Sequence, residues 1–287
     1  MHSEHGCGSS ERLGACPPSG SGACPHADDG GLSPLQPGPV PVRDGSGACP
    51  QADNGACPRS DTIAIEPIAR IHTPYGTKFG VPRQSGLVQS AEATIVFEPR
   101  FRTPDALRGI EGFSHLWLIW GFHQARREDG GWSPLVRPPR LGGNEKVGVF
   151  ACRSPFRPNN LGLSAVVLAG LEHEKGRGTV LKVRGADLVD GTPIYDIKPY
   201  IPFTDSIADA KGGFASSGAP RRLRVECSEA LLEPFGSDAD ALLETLACDP
   251  RPAFHQDPER IYGMTFAGRE VKFTVDEALV VHVLSVE

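Results

Sequence analysis

Apolar and polar positions alternate over short stretches between residues 62 and 184, which is the period of half-buried strands and not of helices. Residues 62–71 (TIAIEPIARI) predict a strand, with Pro67 marking an edge or a bulge. Residues 86–98 (GLVQSAEATIVFE) predict a second strand. The nearly continuous apolar run 114–122 (SHLWLIWGF) has the length of a buried strand, with His115 as a core or backbone-bonded histidine. Val147, Val149 and Ala151 alternate into a fourth strand, in which Cys152 is expected as a small buried hydrophobe. Residues 163–172 and 179–184, joined by the turn EKGRG, complete six. Between them, residues 104–111 predict one short helix with Thr103 as N-cap and Pro104 in its first turn. Six short strands with no long helix between them predict an antiparallel barrel or sandwich.

The pattern changes after residue 184. Residues 185–206 (GADLVDGTPIYDIKPYIPFTDS) close the unit, with Asp187, Asp190 and Asp196 interleaved with Gly and Pro. Their spacing matches no calcium loop; turn caps or a ligand-facing loop account for them. Residues 207–220 are small and polar and read as a linker. Beyond it, Ser237 is placed to cap a helix over 238–248, with Leu242, Leu243 and Leu246 on one face and Pro250 and Pro252 ending it. Three strand-like runs follow over 261–286, turning at Ala267-Gly268 and Asp276-Glu277. The expected organisation is a tail over 1–61, a barrel over 62–206, a linker, and a small α+β unit over 221–287.

The tail is set apart by composition. Residues 1–60 hold 11 Gly and 9 Pro and repeat the tetrad GACP four times. Such a segment cannot bury enough apolar surface to offset its ordering entropy and is expected to be disordered. Cys7, Cys16, Cys24, Cys49 and Cys57 lie at least eight residues apart with no C-x-x-C, so no structural zinc site is expected and no metal is assigned.

Net charge is −6, but its distribution is more informative: residues 100–184 carry 14 Lys/Arg against 7 acids, and residues 185–287 carry 9 against 18. A basic middle in an acidic chain suits an anionic partner such as RNA. No run approaches the roughly 18 apolar residues of a membrane span, and the polar N-terminus lacks a signal-peptide core, so a cytoplasmic protein is expected.

The most informative stretch is GVFACRSPFRPNNLGLS at 148–164. Its prolines fix φ and remove donors, so Arg153 and Arg157 are held on a stiff turn before the next strand. Two guanidinium forks there suit a carboxylate or phosphate; equally, they can staple the turn to backbone carbonyls. The chain has no phosphate-binding G-x-x-x-x-G-K-[ST], no G-x-G-x-x-G after a strand, no G-x-S-x-G and no H-E-x-x-H. His123, at a strand end beside Gln124, is the better placed histidine for a site.

KFGVPRQ (78–84), GFSHLWLIWGFHQ (112–124), RPPRLGG (137–143), the 148–164 segment and DLVDGTPIYDIKPYIPF (187–203) together resemble the TrmO (TsaA-like, YaeB-like) family of tRNA N6-adenine methyltransferases, with DPRPAF (249–254) resembling its second domain. The resemblance covers the chain from about Ile63 onward. It implies a small β-barrel that binds S-adenosylmethionine without a Rossmann sheet, acts as a homodimer, and methylates N6 of threonylcarbamoyladenosine at position 37 of threonine tRNA. It carries cofactor contacts onto Pro82, Arg83, Gln84, His123, Gln124, Arg153, Leu163 and Ala186, Asp187, Leu188, Val189 and Asp190. Arg83 or Arg153 would pair the methionyl carboxylate, Asp187 or Asp190 would accept from ribose hydroxyls or the amino group, and Leu163 would pack on adenine. Asp190 or His123 would take the proton from the ureido N–H. Arg126, Arg127, Arg137, Arg140 and Arg157 are the RNA-binding candidates, and Lys198 the candidate for the threonyl carboxylate. Two positions depart from the family pattern: Cys152 replaces a usual Thr, and Asn160 a frequent Pro. The same barrel methylating another acceptor, or binding cofactor and RNA without catalysis, are the alternatives.

Overall fold

A computed structural model describes residues 63–125, 132–138, 145–216, 221–252, 255 and 257–287. The tail, and with it the expectation of disorder, lies outside these residues. The strands in chain order are β1 (Ala69–His72), β2 (Glu92–Phe97), β3 (His115–Gly121), β4 (Leu135–Val136), β5 (Val147–Gly148), β6 (Leu161–Glu174), β7 (Gly178–Arg184) and β8 (Thr192–Pro199). There follow α1 (Pro202–Asp205), β9 (Arg224–Glu226), α2 (Glu229–Leu232), α3 (Ala239–Ala247), β10 (Tyr262–Phe266), β11 (Arg269–Val275) and β12 (Val280–Val286).

Six strands close into an antiparallel barrel in the order β1-β2-β7-β6-β3-β8, which is the expected fold class. Alternation dictates its interior. Leu116, Leu118 and Trp120 of β3 point inward with Ile71, Ile95, Val166, Leu181, Val183 and Ile194. The interior is therefore filled with side chains, as a barrel of this size requires. The β4–β5 ribbon stands apart as a two-stranded sheet.

Several elements differ from the sequence expectation. The sixth barrel strand is β8 and not the 147–151 run, which pairs for two residues and then turns into a 3₁₀ segment, Val149–Ala151. Pro193 and Pro199 disguised β8; both sit near its ends, where a missing donor is tolerated. Cys152 accordingly lies outside any strand, half-buried, with its thiol on the Val149 carbonyl. The segment 104–111 forms two 3₁₀ turns, Pro104–Leu107 and Ile110–Gly112, because Gly109 between them takes a left-handed φ of 87°. Thr103 makes no side-chain cap bond. Of the first predicted strand only Ala69–Ile71 lies in β1, which extends one residue further to His72. His115 is exposed at the start of β3, bonded to Ser114 Oγ at 2.9 Å, and is not a core residue. Asp196 lies in β8 and caps Ile197 N–H.

The C-terminal sheet runs β10-β11-β12-β9, with the two predicted hairpins and a short parallel β9 that carries too few residues to show a period. Helix α3 buries Leu242 and Leu246 as expected, while Leu243 is only partly covered. Asp238 and not Ser237 precedes it, and without a side-chain cap bond.

The two sheets share a seam. Residues 73–91, chained between β1 and β2 of the barrel, send Tyr75, Val88 and Ala91 into the core of the C-terminal sheet. Tyr75 is buried edge-on against Phe266, bridges to it by backbone, and meets Thr245 Oγ1 of α3 at 3.3 Å. Burial pushes its phenol well above the ordinary value. Phe79 stacks on Tyr262 and Phe273 at 6.4 Å. Tyr75→Phe should cost about 1 kcal/mol and Tyr75→Ala about 3–5 kcal/mol in urea unfolding, the second by opening a cavity. The Ala variant should also raise amide exchange across 78–84 while strands β3 and β6 stay protected.

Candidate cofactor site at the barrel mouth

Strand register brings the distant motifs to one end of the barrel. There Ile71 lies opposite Thr192, Gly121 opposite Leu161, and Glu92 opposite Arg184. The 73–91 loop, the chain after β3, the turn before β6 and the 185–191 connection all open at this end. Pro82, Arg83, Gln84, His123, Gln124, Arg153, Leu163 and Ala186 to Asp190 are thus gathered at one mouth.

Each is positioned by a separate device. Phe79 and Val81 anchor their loop in the C-terminal core, which sets Pro82 in a buried position. Arg83 donates to the Arg251 carbonyl at 2.9 Å, and buried Arg251 is itself clamped on Asp249 through Nε (2.8 Å) and Nη2 (3.0 Å). Arg83 thus spends donors on the C-terminal unit, whereas Arg153 donates to the side-chain oxygen of Gln84. Arg157 donates to the Cys152 carbonyl at 3.2 Å, so of the two arginines on the turn it is the one that staples. Asn160 closes this turn with φ 47°, a left-handed conformation Asn tolerates and proline cannot adopt, so the departure from the family pattern fits the backbone here.

Leu163 exposes 55% of its surface at the start of β6. Asp187 accepts from Ser164 Oγ at 2.6 Å; burial pushes its carboxyl above the ordinary range, opposed first by that hydrogen bond. Asp190 accepts from Thr73 N–H at 3.1 Å and meets His72 Nδ1 at 3.2 Å. Ala186 and Leu188 are buried, and the Leu188 and Val189 carbonyls are taken by Thr73 and Thr192 hydroxyls, so this pair of residues shapes the connection from inside. His123 stands 3.4 Å from Thr192 Oγ1, and its pKa is lowered by partial burial, then by Arg70 and Lys78, against an opposing pull from Asp190. Lys78 also holds the Gln124 carbonyl.

Sequence reasoning did not single out His72, Lys78, Ser164 or Thr192. His72 and Lys78 share the HTPYGTKFGVPRQSG loop with Arg83, and a basic pair in a Gly/Pro loop was the available signal. Ser164 and Thr192 carried none. Lys198 is not brought to the mouth: it pairs with Trp117, four residues down β3 from Gly121 or roughly 13 Å, and its ammonium meets Asp196 at 3.0 Å. Arg137 is exposed beyond β4, and Arg126, Arg127 and Arg140 lie outside the described residues.

A filled antiparallel barrel whose mouth gathers guanidinium, carboxylate and imidazole groups beside an exposed leucine is a candidate site for a small charged ligand at the rim. Residues 70–206 match the tRNA-methyltransferase O N-terminal domain and residues 221–287 the TrmO C-terminal domain, so the chain belongs to the tRNA-methyltransferase O family. It is 45% identical over 209 residues to the tRNA (adenine(37)-N6)-methyltransferase of Escherichia coli strain K12, covering 70% of this chain and 87% of that protein. It is 39% identical over 236 residues to a Pseudomonas aeruginosa protein named putative S-adenosylmethionine-dependent methyltransferase RcsF, covering 78% of this chain and 98% of that one. The crystal structure of TrmO from P. aeruginosa superposes with a TM-score of 0.65 at 34% identity, covering 79% and 98% of the two chains.

The lowered proton affinity of His123 should appear as an NMR titration midpoint below 6.5, moving back toward it in Lys78→Ala. Because the unfolded chain then binds that proton more tightly, stability from this group rises with pH between the folded midpoint and 6.5 and is lost below.

Proposed function

We propose that this protein uses S-adenosylmethionine to methylate N6 of threonylcarbamoyladenosine at position 37 of threonine tRNA, working as a homodimer. The observation that carries the proposal is the gathering of Arg153, Leu163, Asp187, Asp190 and His123 at one barrel mouth, in a chain similar to the E. coli tRNA (adenine(37)-N6)-methyltransferase.

The donor set fits the cofactor. Arg153, steadied by Gln84, is the choice over Arg83 for the methionyl carboxylate, because Arg83 is committed to the Arg251 carbonyl. Asp187 and Asp190 are acceptors for ribose hydroxyls and the amino group, and the exposed Leu163 supports a planar ring. When bound, S-adenosylmethionine supplies an electrophilic methyl on a sulfonium. The protein's part is to hold the acceptor nitrogen in line with it and to receive the ureido proton. His123, uncharged near neutrality, can take that proton at a ring nitrogen, or Asp190 at its carboxylate. Arg126, Arg127, Arg137 and Arg140 are proposed to meet tRNA phosphates, whereas Arg157 is committed to the Cys152 carbonyl. Within one subunit, Arg70 and Lys78 stand nearer the mouth than Lys198 for a threonyl carboxylate. The homodimer is supported by exposed apolar side chains past the far end of β8, Phe203 at 91% and Ile207 at 70%.

Purified protein incubated with cofactor and tRNA from cells lacking this activity should yield N6-methyl threonylcarbamoyladenosine by nucleoside mass spectrometry. Tight cofactor binding with methylation of another nucleoside, or with no product, would reassign the acceptor or the activity. Arg153→Ala should raise the cofactor KM about 10- to 100-fold through loss of a charge-assisted hydrogen bond. Sedimentation should give a dimer that Phe203→Asp weakens.

A further inference from the structure

Inside the barrel, Trp120 and Ser164 place polar groups in a mostly apolar core. Trp120 of β3 and Ser164 of β6 are 6% and 1% exposed, on neighbouring strands where Leu118 pairs with Ser164 and Trp120 with Gly162. The indole Nε1–H donates to Ser164 Oγ at 3.0 Å, and Ser164 Oγ lies 2.6 Å from Asp187 Oδ1. An indole can only donate, so it occupies the serine oxygen as an acceptor and leaves the hydroxyl proton for the carboxylate. The chain therefore has one direction, from the barrel interior to the mouth.

Its geometry is guarded by a glycine. A Cβ at Gly162 would come within 2.4 Å of the Trp120 ring, so any side chain there would displace the indole from Ser164. The Ser85 backbone N–H, beside Gln84, and the Arg153 guanidinium also favour the Asp187 carboxylate. An apolar pair in place of Trp120 and Ser164 would fill the core but leave the Asp187 carboxylate without its hydroxyl donor. The polar pair thus carries a hydrogen bond from the barrel interior to the mouth, where the chain ends.

We propose that Ser164 and Trp120 are positioning residues, fixing the Asp187 carboxylate in the orientation that receives the cofactor's hydroxyl or amino groups. The assignment rests on the cofactor site proposed above. Removing the serine donor leaves burial less opposed, so Asp187 holds its proton to higher pH and stops accepting from the ligand sooner as pH falls.

The test is calorimetric binding of S-adenosylhomocysteine to the full-length protein between pH 5 and 8. Ser164→Ala should weaken binding about tenfold at neutral pH and move the acid limb of the affinity profile up by about one unit. Ser164→Thr, which keeps the hydroxyl, should restore both. Trp120→Phe should act in the same direction to a smaller extent, and add nothing in the Ser164→Ala background because both act through one hydroxyl. It carries the test alone should Ser164→Ala fail to fold. Wild-type binding with variants of equal affinity and an unmoved acid limb would overturn the positioning role alone. A wild-type protein that binds no cofactor at any pH would overturn the cofactor site and the positioning role with it.

Discussion

A phenol buried between two sheets holds the working end of this protein in shape. Tyr75 belongs by sequence to the barrel, yet its ring packs on Phe266 and its hydroxyl meets Thr245 of the C-terminal unit. Phe79 and Val81 follow it into the same core, so the loop that continues to Arg83 and Gln84 leaves the seam with little freedom. Such a loop, if solvated on both faces, would sample many conformations at a cost of about 1–2 kcal/mol per residue to order. Docked on a hydrophobic core, it is ordered by folding before any ligand arrives. The C-terminal sheet is therefore a scaffold for one wall of the mouth, and the Asp249–Arg251 clamp that receives Arg83 extends the same role.

The barrel's size explains why the candidate site is a mouth and not a cavity. Six short strands enclose a space that Leu116, Leu118, Ile71, Ile95, Leu181 and Ile194 fill completely. A ligand can only sit on the end, where connections supply backbone groups and side chains at the edge of a low-dielectric interior. That edge has electrostatic consequences of opposite sign: partial burial makes His123 a weaker base and Asp187 a weaker acid, each toward its neutral form. Hydrogen bonds from Ser164 and Ser85 and the field of Arg153 counter this at Asp187. At His123 the cations Arg70 and Lys78 reinforce it, with Asp190 in opposition. Both groups are thereby biased toward their uncharged forms, His123 as a free imidazole and Asp187 as a weaker acid.

The two arginines of the 148–164 turn divide between the roles that chemistry left open. Arg157 reaches back to the Cys152 carbonyl and stiffens the turn, while Arg153 projects to Gln84 at the mouth. Nothing in RSPFR distinguishes them; what does is the position of the β1–β2 loop, which comes from elsewhere in the chain.

Local alternation was enough to read the barrel class, five of its six strands, both C-terminal hairpins and helix α3, because burial on one face of an element leaves a period in the sequence. The motif residues of the mouth were legible too, since Gly, Pro and Arg at turns carry conformational and chemical constraints that survive without context. Tertiary structure alone decided the rest. It made a barrel strand of Thr192–Pro199, whose prolines spoke against one, and it set Lys198 down the barrel wall from the mouth. It also joined Tyr75 to Thr245 across 170 residues, and Ser164 to Asp187 across 23. Those pairings depend on barrel closure and strand register, which fix what lies opposite each residue, and no local period encodes the identity of a distant partner.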